Sequence, residues 1–274
     1  MTPVRVRAPA STANIGPGFD CAAAALDLWN ELEVAEGDGE ADLGHLGVQA
    51  FARLASVDGL TFAFVDRIPR ERGLGSSAAV IALGLTAANA VAGLGLDAER
   101  LLAEGVELEG HADNLAAVLV GGVCLTWDAK ITRLADDAPA VPVALVPEAT
   151  VSTAAARAAL PSAVPHTDAT FTAGRATLLG AALASGSSDL FAEALADRIH
   201  EPYRADGAPL LAAVRAQVPA GALGSTLSGS GPTVIVWARP DTVAACVTEL
   251  EARFPDVAVR VLNVSPRGAH VDEH

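Results

Sequence analysis

The order of apolar and polar residues along the chain predicts a mixture of strands and helices. Val4, Val6 and Ala8 lie two residues apart with arginines between them, which is the period of a strand. Similar strand patterns follow at residues 26–34, 60–69, 120–128, 130–134, 141–147, 233–238 and 257–264. Helical periods are found at residues 44–55, 77–92, 97–108, 169–184, 188–196, 209–218 and 241–254. Strands and helices do not alternate regularly, so the pattern favours an α+β fold over a doubly wound parallel sheet.

The composition of the sequence changes near residue 138, where prolines cluster. Three prolines surround the short apolar strand of "APAVPVALVP" at residues 138–147, and such clusters are common where one domain ends. A chain of 274 residues is long enough for two modest domains. We therefore expect an N-terminal domain of residues 1–138 and a C-terminal domain of residues 139–274.

Composition indicates a cytoplasmic protein without a membrane partner. Hydrophobic residues make up 51% of the chain but aromatic residues only 4%, so the core must be built from Ala, Val and Leu. No apolar stretch approaches the roughly 20 residues of a membrane span, and the segment after Ser77 is interrupted by Gly84 and Asn89. The N-terminus has no apolar signal core. The three cysteines form no CxxC pair, which is typical of a reducing compartment.

The charge balance excludes several classes of partner. The net charge is −15, and Lys130 is the only lysine. Nucleic acids and anionic membranes are bound through clustered cations, so we expect neither. No lysine follows a glycine-rich loop, which excludes a phosphate site of the P-loop kind. An acidic surface otherwise indicates little more than solubility.

A glycine-rich segment, "RGLGSSAAV" at residues 72–80, precedes a long apolar helical run. Gly73 and Gly75 permit positive φ and close approach of a ligand to the backbone. Free N–H groups and the dipole of the following helix favour an anion, and Ser76 or Ser77 can cap that helix. The segment is therefore either a phosphate-binding loop or an ordinary strand–turn–helix connection with a serine cap.

Five polar residues lie within eight positions of "ELEGHADN": Glu107, Glu109, His111, Asp113 and Asn114. Mg²⁺ is commonly held by one or two carboxylates together with phosphate oxygens, and His and Asn side chains can hydrogen-bond a small polar substrate. Each residue alone fits a helix start, in which Asp113 or Asn114 is the cap. Five of them together favour a site.

Two turn-rich loops carry further candidates. Asn14 and Asp20 stand on the loop of "STANIGPGFD", where they either position a substrate or simply satisfy turn geometry. The second loop, "LSGSGPTVI" at residues 227–235, either presses its backbone against a ligand or forms a bulged turn.

The segment "DRIHEPYR" at residues 197–204 gathers cations in a chain that is poor in them. A helical period would place Asp197, His200 and Arg204 on one face, although Pro202 should break that helix. Arg204 and Arg175 together can clamp a carboxylate through bidentate hydrogen bonds. Surface ion pairs are the alternative for each arginine taken alone.

In this order, the segments "ASTANIGPGFD", "PRERGLGSSAA", "ELEGHADN" and "LSGSGPT" resemble the motifs of the GHMP small-molecule kinases, and among them the homoserine kinase family. The resemblance extends from about residue 4 to residue 237. It implies a two-domain α+β GHMP kinase fold, with an N-terminal ribosomal protein S5 domain 2-like part and a C-terminal ferredoxin-like α/β sandwich. It also implies ATP and Mg²⁺ as cofactors, L-homoserine as substrate, threonine biosynthesis as the pathway, and a homodimer as the common assembly.

The resemblance assigns residues to each part of such a site. The ATP phosphates would be bound by Pro69, Arg70, Glu71, Arg72, Gly73, Leu74, Gly75, Ser76, Ser77, Ala78 and Ala79, with Gly229, Ser230 and Gly231 closing the site from the second domain. Mg²⁺ would be held by Ser76 and Glu109, with Glu107 as the alternative carboxylate. Homoserine would be bound by Asn14, Asp20, His111, Asn114, Arg175 and Arg204. Asp20 would contact the substrate ammonium, and the two arginines would contact its carboxylate.

The same resemblance implies a mechanism without a dedicated base. Many relatives have an aspartate at the position of Asn114, and homoserine kinases do not. Catalysis would then rest on alignment of the hydroxyl with the γ-phosphate and on charge stabilisation, in which Asn114 and Ser76 take part. Asp113 is the minor candidate for accepting the proton.

Departures from the family pattern leave two alternatives open. The helix near position 45 begins with His45–Leu46 instead of Asn–Leu, in a region that seats adenine in relatives, and "HADN" replaces "HPDN". The chain is also shortened before Pro69. One alternative is another GHMP kinase for a small alcohol, such as a mevalonate-pathway intermediate; the other is an inactive relative that binds nucleotide or amino acid. Asn14, Asp20 and residues 111–114 argue against the first, because a zwitterionic substrate needs an anion for its ammonium.

Overall fold

The structure, a computed structural model, describes residues 2–272 of the chain. Its strands are β1 (Val4–Asn14), β2 (Gly18–Glu36), β3 (Leu60–Val65), β4 (Val123–Trp127), β5 (Lys130–Ala135), β6 (Val141–Val146), β7 (Ala222–Leu227), β8 (Val234–Ala238), β9 (Ala258–Val261) and β10 (His270–Val271). Its helices are α1 (Leu46–Ala52), α2 (Ser76–Val91), α3 (Ala98–Glu109), α4 (Asp113–Val120), α5 (Thr153–Ala158), α6 (His166–Ser185), α7 (Ser188–Ala194), α8 (Pro209–Ala216) and α9 (Val243–Arg253), and a 3₁₀ turn covers Pro202–Gly207.

Strands β1 and β2 form the centre of an antiparallel sheet with the order β10-β1-β2-β4-β5, in which β3 also pairs with β2. Because β2 is 19 residues long, it pairs with two strands, β3 and β4, along one edge. Residues 22–24 pair with β4, and residues 31–36 pair with β3. The register of β1 on β2 shifts after Ala13, and Asn14 then pairs with Gly18. This irregularity forms a tight turn between the strands, with Asn14 at the end of β1 and Asp20 near the start of β2.

Helix α2 lies at the centre of the helical layer beside this sheet. Both α2 and α4 pack on β1 and β2, while α1 and α3 pack on α2. The buried side of α2 consists mainly of Ala, Leu and Ile, so its neighbours approach closely. A Cβ on Gly84 would lie 2.0 Å from the backbone oxygen of Gly47 in α1. These close contacts fix the position of the N-terminus of α2.

The second sheet is antiparallel with the order β7-β8-β6-β9. Side chains of its buried strand β8 alternate between two cores. Ile235 and Trp237 enter the main core shared with the first sheet, whereas Val234 and Val236 pack with residues of α8 and α9. The second sheet is thus joined to the first through one face.

The structure confirms the α+β class that the hydrophobic pattern predicts. The patterns missed α5 and β10, which are six and two residues long and therefore too short to show a period, and also β7, whose segment "ALGSTL" does not alternate strictly. The domain boundary at residue 138 stays a prediction; the C-terminal segment returns to the first sheet, where β10 pairs with β1 and Val264 forms a bridge with Leu26. Among residues 2–272, no helix combines the length and apolar character that crossing a bilayer requires.

Candidate active site

A cavity of about 360 Å³ lies where loops from both sheets meet. Its walls come from the β1–β2 loop, the loop before α2, the α3–α4 junction, the segment leading into α5, the 3₁₀ turn and the β7–β8 loop. The four sequence motifs converge here: Asn14 Nδ2 donates to the carbonyl of Gly229, 215 residues away, at 3.0 Å. The predicted site residues that line the cavity are Asn14, Asp20, Glu71, Gly73, Gly75, Ser76, Ser77, Glu109, His111, Asp113, Asn114, Arg204, Gly229 and Ser230.

The loop before α2 has the backbone shape that close approach of a ligand requires. Gly73 and Gly75 have φ of 78° and 65°, in the left-handed region that favours glycine. Gly75 is the N-cap of α2, and no side chain caps this end. The serine cap considered from the sequence is therefore not formed. The first N–H groups of α2 stay at the cavity wall without a capping side chain, where they favour an anion.

The other residues of the predicted phosphate loop lie behind this wall and hold it. The Leu74 carbonyl accepts a hydrogen bond from the Ser11 N–H at 3.1 Å. Arg70 pairs with Asp66, and Arg72 Nε donates to the carbonyl of Pro147 at 2.8 Å. The predicted loop residues outside the cavity lining are Pro69, Arg70, Arg72, Leu74, Ala78, Ala79 and Gly231.

Glu109, the last residue of α3, is the carboxylate beside the phosphate loop. Ser77 Oγ donates to Glu109 Oε2 at 2.6 Å. Burial raises the pKa of the Glu109 carboxyl, while the Ser77 hydrogen bond and His111 oppose the rise. Glu107 points elsewhere, and its Oε2 lies 2.7 Å from Arg53 Nη2. Of the two glutamates that the sequence left open, Glu109 lines the cavity and Glu107 does not.

Asp113 and His111 form a second polar wall. Asp113 begins α4 and is only 4% exposed. Burial raises its pKa, and the nearby His111 partly offsets this rise. His111 Nδ1 lies 3.6 Å from Asp113 Oδ1 and 3.9 Å from Glu109 Oε1, yet it is buried without a hydrogen-bond partner among the described residues. A buried, unpartnered ring nitrogen beside a cavity is suited to a polar group of a ligand.

The two asparagines have different surroundings. Asn14 Oδ1 accepts the N–H of Asp20 at 3.0 Å, so that together with its bond to Gly229 both ends of the Asn14 amide are used. Asn114 Oδ1 accepts a hydrogen bond from Ser11 Oγ at 2.7 Å, which orients the amide and leaves its Nδ2 group available. Asn14 therefore joins two loops, whereas Asn114 keeps a donor for a ligand.

Arg157, a residue that the sequence analysis missed, lies in the cavity wall on α5. Its Nη1 and Nη2 donate to Oδ2 and Oδ1 of Asp20, both at 2.9 Å. Ser152 caps this short helix by accepting the N–H of Ala155 at 3.4 Å. A serine before the alanine-rich run "TAAARA" is the one local signal that could have indicated a helix here.

Arg204 reaches the cavity from the 3₁₀ turn and is 6% exposed. Its Nη1 donates to the carbonyl of Gly229 at 3.0 Å and lies 3.4 Å from His200 Nδ1. His200 Nε2 lies 2.8 Å from the carbonyl of Gly16; because a carbonyl only accepts, this ring nitrogen carries a proton. Phe19 stacks on the His200 ring with centroids 5.0 Å apart. Burial lowers the pKa of Arg204, and its Nε has no partner among residues 2–272.

Arg175 is the predicted substrate residue that the structure does not bring into the cavity. It projects from α6 towards α7, where its Nη1 donates to the backbone carbonyl of Glu193 and lies 3.1 Å from Glu193 Oε2. The guanidinium also lies over the ring of Phe171, 5.0 Å from its centroid. Arg157, and not Arg175, stands with Arg204 in the wall.

A second cavity, of about 310 Å³, lies beside α1. His45 is the N-cap of α1, and its Nδ1 accepts the N–H of Gly47 at 3.3 Å. The His45 ring lies against Phe64 with centroids 4.0 Å apart, and Phe62 also lines the cavity. The His45–Leu46 departure from the family pattern therefore coincides with a pocket that has aromatic walls.

Comparison with known proteins defines the class first. The model of the GHMP kinase N-terminal domain matches residues 45–122, and that of the GHMP kinase C-terminal domain matches residues 179–256. The chain belongs to the GHMP kinase family. The homoserine kinase of Gloeobacter violaceus is 37% identical over 97% of this chain and 98% of its own length, and that of Streptomyces coelicolor is 41% identical over 87% and 85%. The crystal structure of homoserine kinase from Cytophaga hutchinsonii superposes with a TM-score of 0.87 at 26% identity, over 99% of this chain and 98% of that one. The family and the two-domain GHMP kinase fold expected from the sequence are thereby confirmed.

Proposed function

We propose that this enzyme transfers the γ-phosphoryl group of ATP to the side-chain hydroxyl of L-homoserine, forming O-phospho-L-homoserine for threonine biosynthesis. One observation carries the proposal: an uncapped helix N-terminus and a carboxylate beside two arginines line the same cavity. The helix N-terminus suits a polyphosphate, and the carboxylate with its arginines suits the two charges of an amino acid. The similarity to curated homoserine kinases supports the same substrate.

ATP would bind along the loop before α2. Its phosphates would take the N–H groups at Gly75–Ser77, and its base would enter the pocket of His45 and Phe64. This pocket lies beside the N-terminal half of α2, because a Cβ on Gly47, which stands between the pocket residues His45 and Val48, would lie 3.1 Å from Val80 Cγ1 of α2. An aromatic wall suits a purine ring through stacking.

Mg²⁺ would be held at Glu109. The donor set fits a hard cation, since Mg²⁺ takes oxygen ligands and usually combines one or two carboxylates with phosphate oxygens. The carboxylate is buried with a raised pKa, and a cation there would favour its charged form. The hydroxyl beside Glu109 belongs to Ser77, so Ser77 is our second ligand in preference to Ser76. When bound, the cation neutralises charge on the phosphates.

Homoserine would place its ammonium at Asp20 and its carboxylate between Arg157 and Arg204. Arg157 replaces Arg175 in this assignment, because Arg157 lines the cavity. His111 and the free amide donor of Asn114 would contact the remaining polar groups. The hydroxyl would then face the loop before α2, in line with the γ-phosphate.

Phosphoryl transfer would rest mainly on this alignment. The hydroxyl oxygen attacks the γ-phosphorus, the bond to the bridging oxygen of ADP breaks, and the hydroxyl proton passes to a phosphate oxygen or solvent. Asn114, held by Ser11, cannot accept that proton and serves to orient the hydroxyl. Asp113 stays the minor candidate for a base, because its carboxylate is buried beside Asn114.

The two alternatives are less favoured. A kinase for a mevalonate-type alcohol would have no use for Asp20 between two arginines, because such a substrate carries no ammonium. The similarity to a curated homoserine kinase over 97% of the chain argues against an inactive binding protein. We further propose a cytoplasmic location, which suits the unpaired cysteines Cys21, Cys124 and Cys246. The homodimer implied by the resemblance stays a prediction.

The experiment is an ADP-release assay with Mg²⁺ and ATP against L-homoserine, with L-serine, L-threonine, mevalonate and shikimate as comparators. We expect turnover with homoserine well above that with the others. Turnover with none of them by a folded protein that binds ATP would contradict the proposed substrate. Turnover with mevalonate instead would select the first alternative.

A further inference from the structure

The ion pair between Asp20 and Arg157 joins two parts of the molecule at the wall of the cavity. Asp20 is fixed at the start of β2, with a positive φ of 56° and its N–H bonded to Asn14. Arg157 stands on α5, and the segment leading into α5 is held on the phosphate loop by the bond from the Val151 N–H to the Glu71 carbonyl at 3.2 Å. Both Asp20 and Arg157 line the cavity.

The pair is built so that its two halves satisfy each other. Two parallel hydrogen bonds of 2.9 Å use both carboxylate oxygens of Asp20 and both terminal nitrogens of Arg157. The hydrogen bond to Asp20 raises the pKa of Arg157, so this guanidinium keeps its charge at neutral pH. The carboxylate and the guanidinium therefore satisfy each other's charge and hydrogen bonds.

An amino acid substrate carries the same two kinds of charge as this pair, a positive ammonium and a negative carboxylate. On the proposed function, its ammonium needs Asp20 and its carboxylate needs Arg157, so binding must replace the internal pair by two external pairs. We propose that the Asp20–Arg157 ion pair is a specificity-determining element, which a ligand displaces fully only if it carries both an ammonium and a carboxylate. A ligand with one of these charges pairs with one half and leaves the other half without its partner.

This exchange has a consequence that independent binding groups would not have. Removing Arg157 weakens homoserine binding but releases Asp20, so a ligand with an ammonium and no carboxylate binds more tightly than it does to the wild type. Removing Asp20 releases Arg157 for a ligand with a carboxylate and no ammonium. Since both side chains are partly exposed, at 36% and 40%, we expect each gain to be about fivefold.

The test measures binding of three ligands to the full chain by calorimetry: L-homoserine, 3-aminopropan-1-ol and 4-hydroxybutanoate. Arg157→Gln should bind 3-aminopropan-1-ol about fivefold more tightly than the wild type and homoserine more weakly. Asp20→Asn should show the same gain for 4-hydroxybutanoate. Arg157→Lys keeps the charge but loses the paired geometry, so it should also gain affinity for 3-aminopropan-1-ol, by a smaller factor.

The matched control is Arg239→Gln, which removes one charge from an exposed ion pair with Asp189 outside the cavity. It should leave all three affinities unchanged. Half-ligand affinities that stay at the wild-type value in Arg157→Gln and Asp20→Asn, or half-ligands that bind none of the proteins, would overturn the proposal. Failure of the proposed substrate is a separate result: homoserine would then not bind the wild type, while the half-ligand comparison would still decide the role of the pair.

Discussion

At the scale of single residues, Gly75 determines the shape of the site because it has no side chain. A Cβ at this position would lie 2.0 Å from Ser11 Oγ and 3.1 Å from Asn114 Oδ1. It would therefore disturb the hydrogen bond between Ser11 and Asn114, which orients the amide proposed to face the substrate. Its φ of 65° adds the strain of a left-handed conformation.

We expect Gly75→Ala to raise the KM for ATP by about tenfold or more, because α2 or Ser11 must shift to relieve the contact. Steady-state kinetics and unfolding curves would measure the two effects. The control is Gly93→Ala, also at positive φ but with open space around the new Cβ. It should lower the free energy of unfolding by about 1 kcal/mol and leave the KM unchanged. An unaltered KM in Gly75→Ala would remove the phosphate-loop assignment.

At the scale of the element, α2 depends on contacts that only small residues allow. A Cβ on Gly84 would lie 2.0 Å from the backbone oxygen of Gly47 and 2.9 Å from the Cβ of Ala50. Backbone cannot move aside as a flexible side chain can. The packing of α1 on α2 therefore requires glycine at this position, although glycine is unfavourable in a helix.

We expect Gly84→Ala to lower the free energy of unfolding by about 1–3 kcal/mol through overpacking, despite the better helix propensity of alanine. Chemical denaturation would measure it. The matched variant is Gly174→Ala in α6, where no atom lies within 4 Å of the new Cβ. That variant should gain about 0.5–1 kcal/mol from propensity alone. Equal effects of the two substitutions would show that α1 and α2 are not in close contact.

At the scale of the whole molecule, the site reduces stability at neutral pH. Burial raises the pKa of Glu109 and of Asp113. In the native protein these carboxyls hold their protons more tightly than in the unfolded chain. As pH rises above the ordinary carboxyl range, the unfolded chain therefore loses protons first, and the free energy of unfolding falls. This loss of stability is absent at low pH, where both carboxyls are protonated in the native and the unfolded state. It reaches its full size above the raised pKa values.

We expect Asp113→Asn to be more stable than the wild type at neutral pH, with the difference vanishing near pH 3, because asparagine has no charge to bury. Its Oδ1 can still accept the N–H of Asn114, as that of Asp113 does at 2.8 Å. Unfolding curves across this pH range would measure the difference. Asp256→Asn removes the same charge from an exposed turn and controls for net charge. A pH-independent difference for Asp113→Asn would contradict the buried-carboxyl explanation.

Much of this protein follows from the sequence alone, because the relevant properties are local. The strand period of β1, the helical period of α2, the positive φ of Gly73 and Gly75 and the acidic composition are all properties of short segments or of the composition. The order of the four motifs was sufficient for the family, and the α+β class followed from the hydrophobic pattern.

Tertiary structure alone decided which side chains meet in the cavity. Glu107 and Glu109 are two residues apart on α3, which turns them about 200° from each other, and only the packing of α3 shows that Glu109 faces the phosphate loop. The sequence analysis chose Arg175 and missed Arg157, but α5 directs Arg157 to Asp20 while α6 directs Arg175 to Glu193. The physical reason is the same in both cases. A local pattern determines what a segment forms, whereas the partner of a charged side chain depends on helix packing, which brings together residues as far apart in sequence as Asp20 and Arg157, 137 positions from each other.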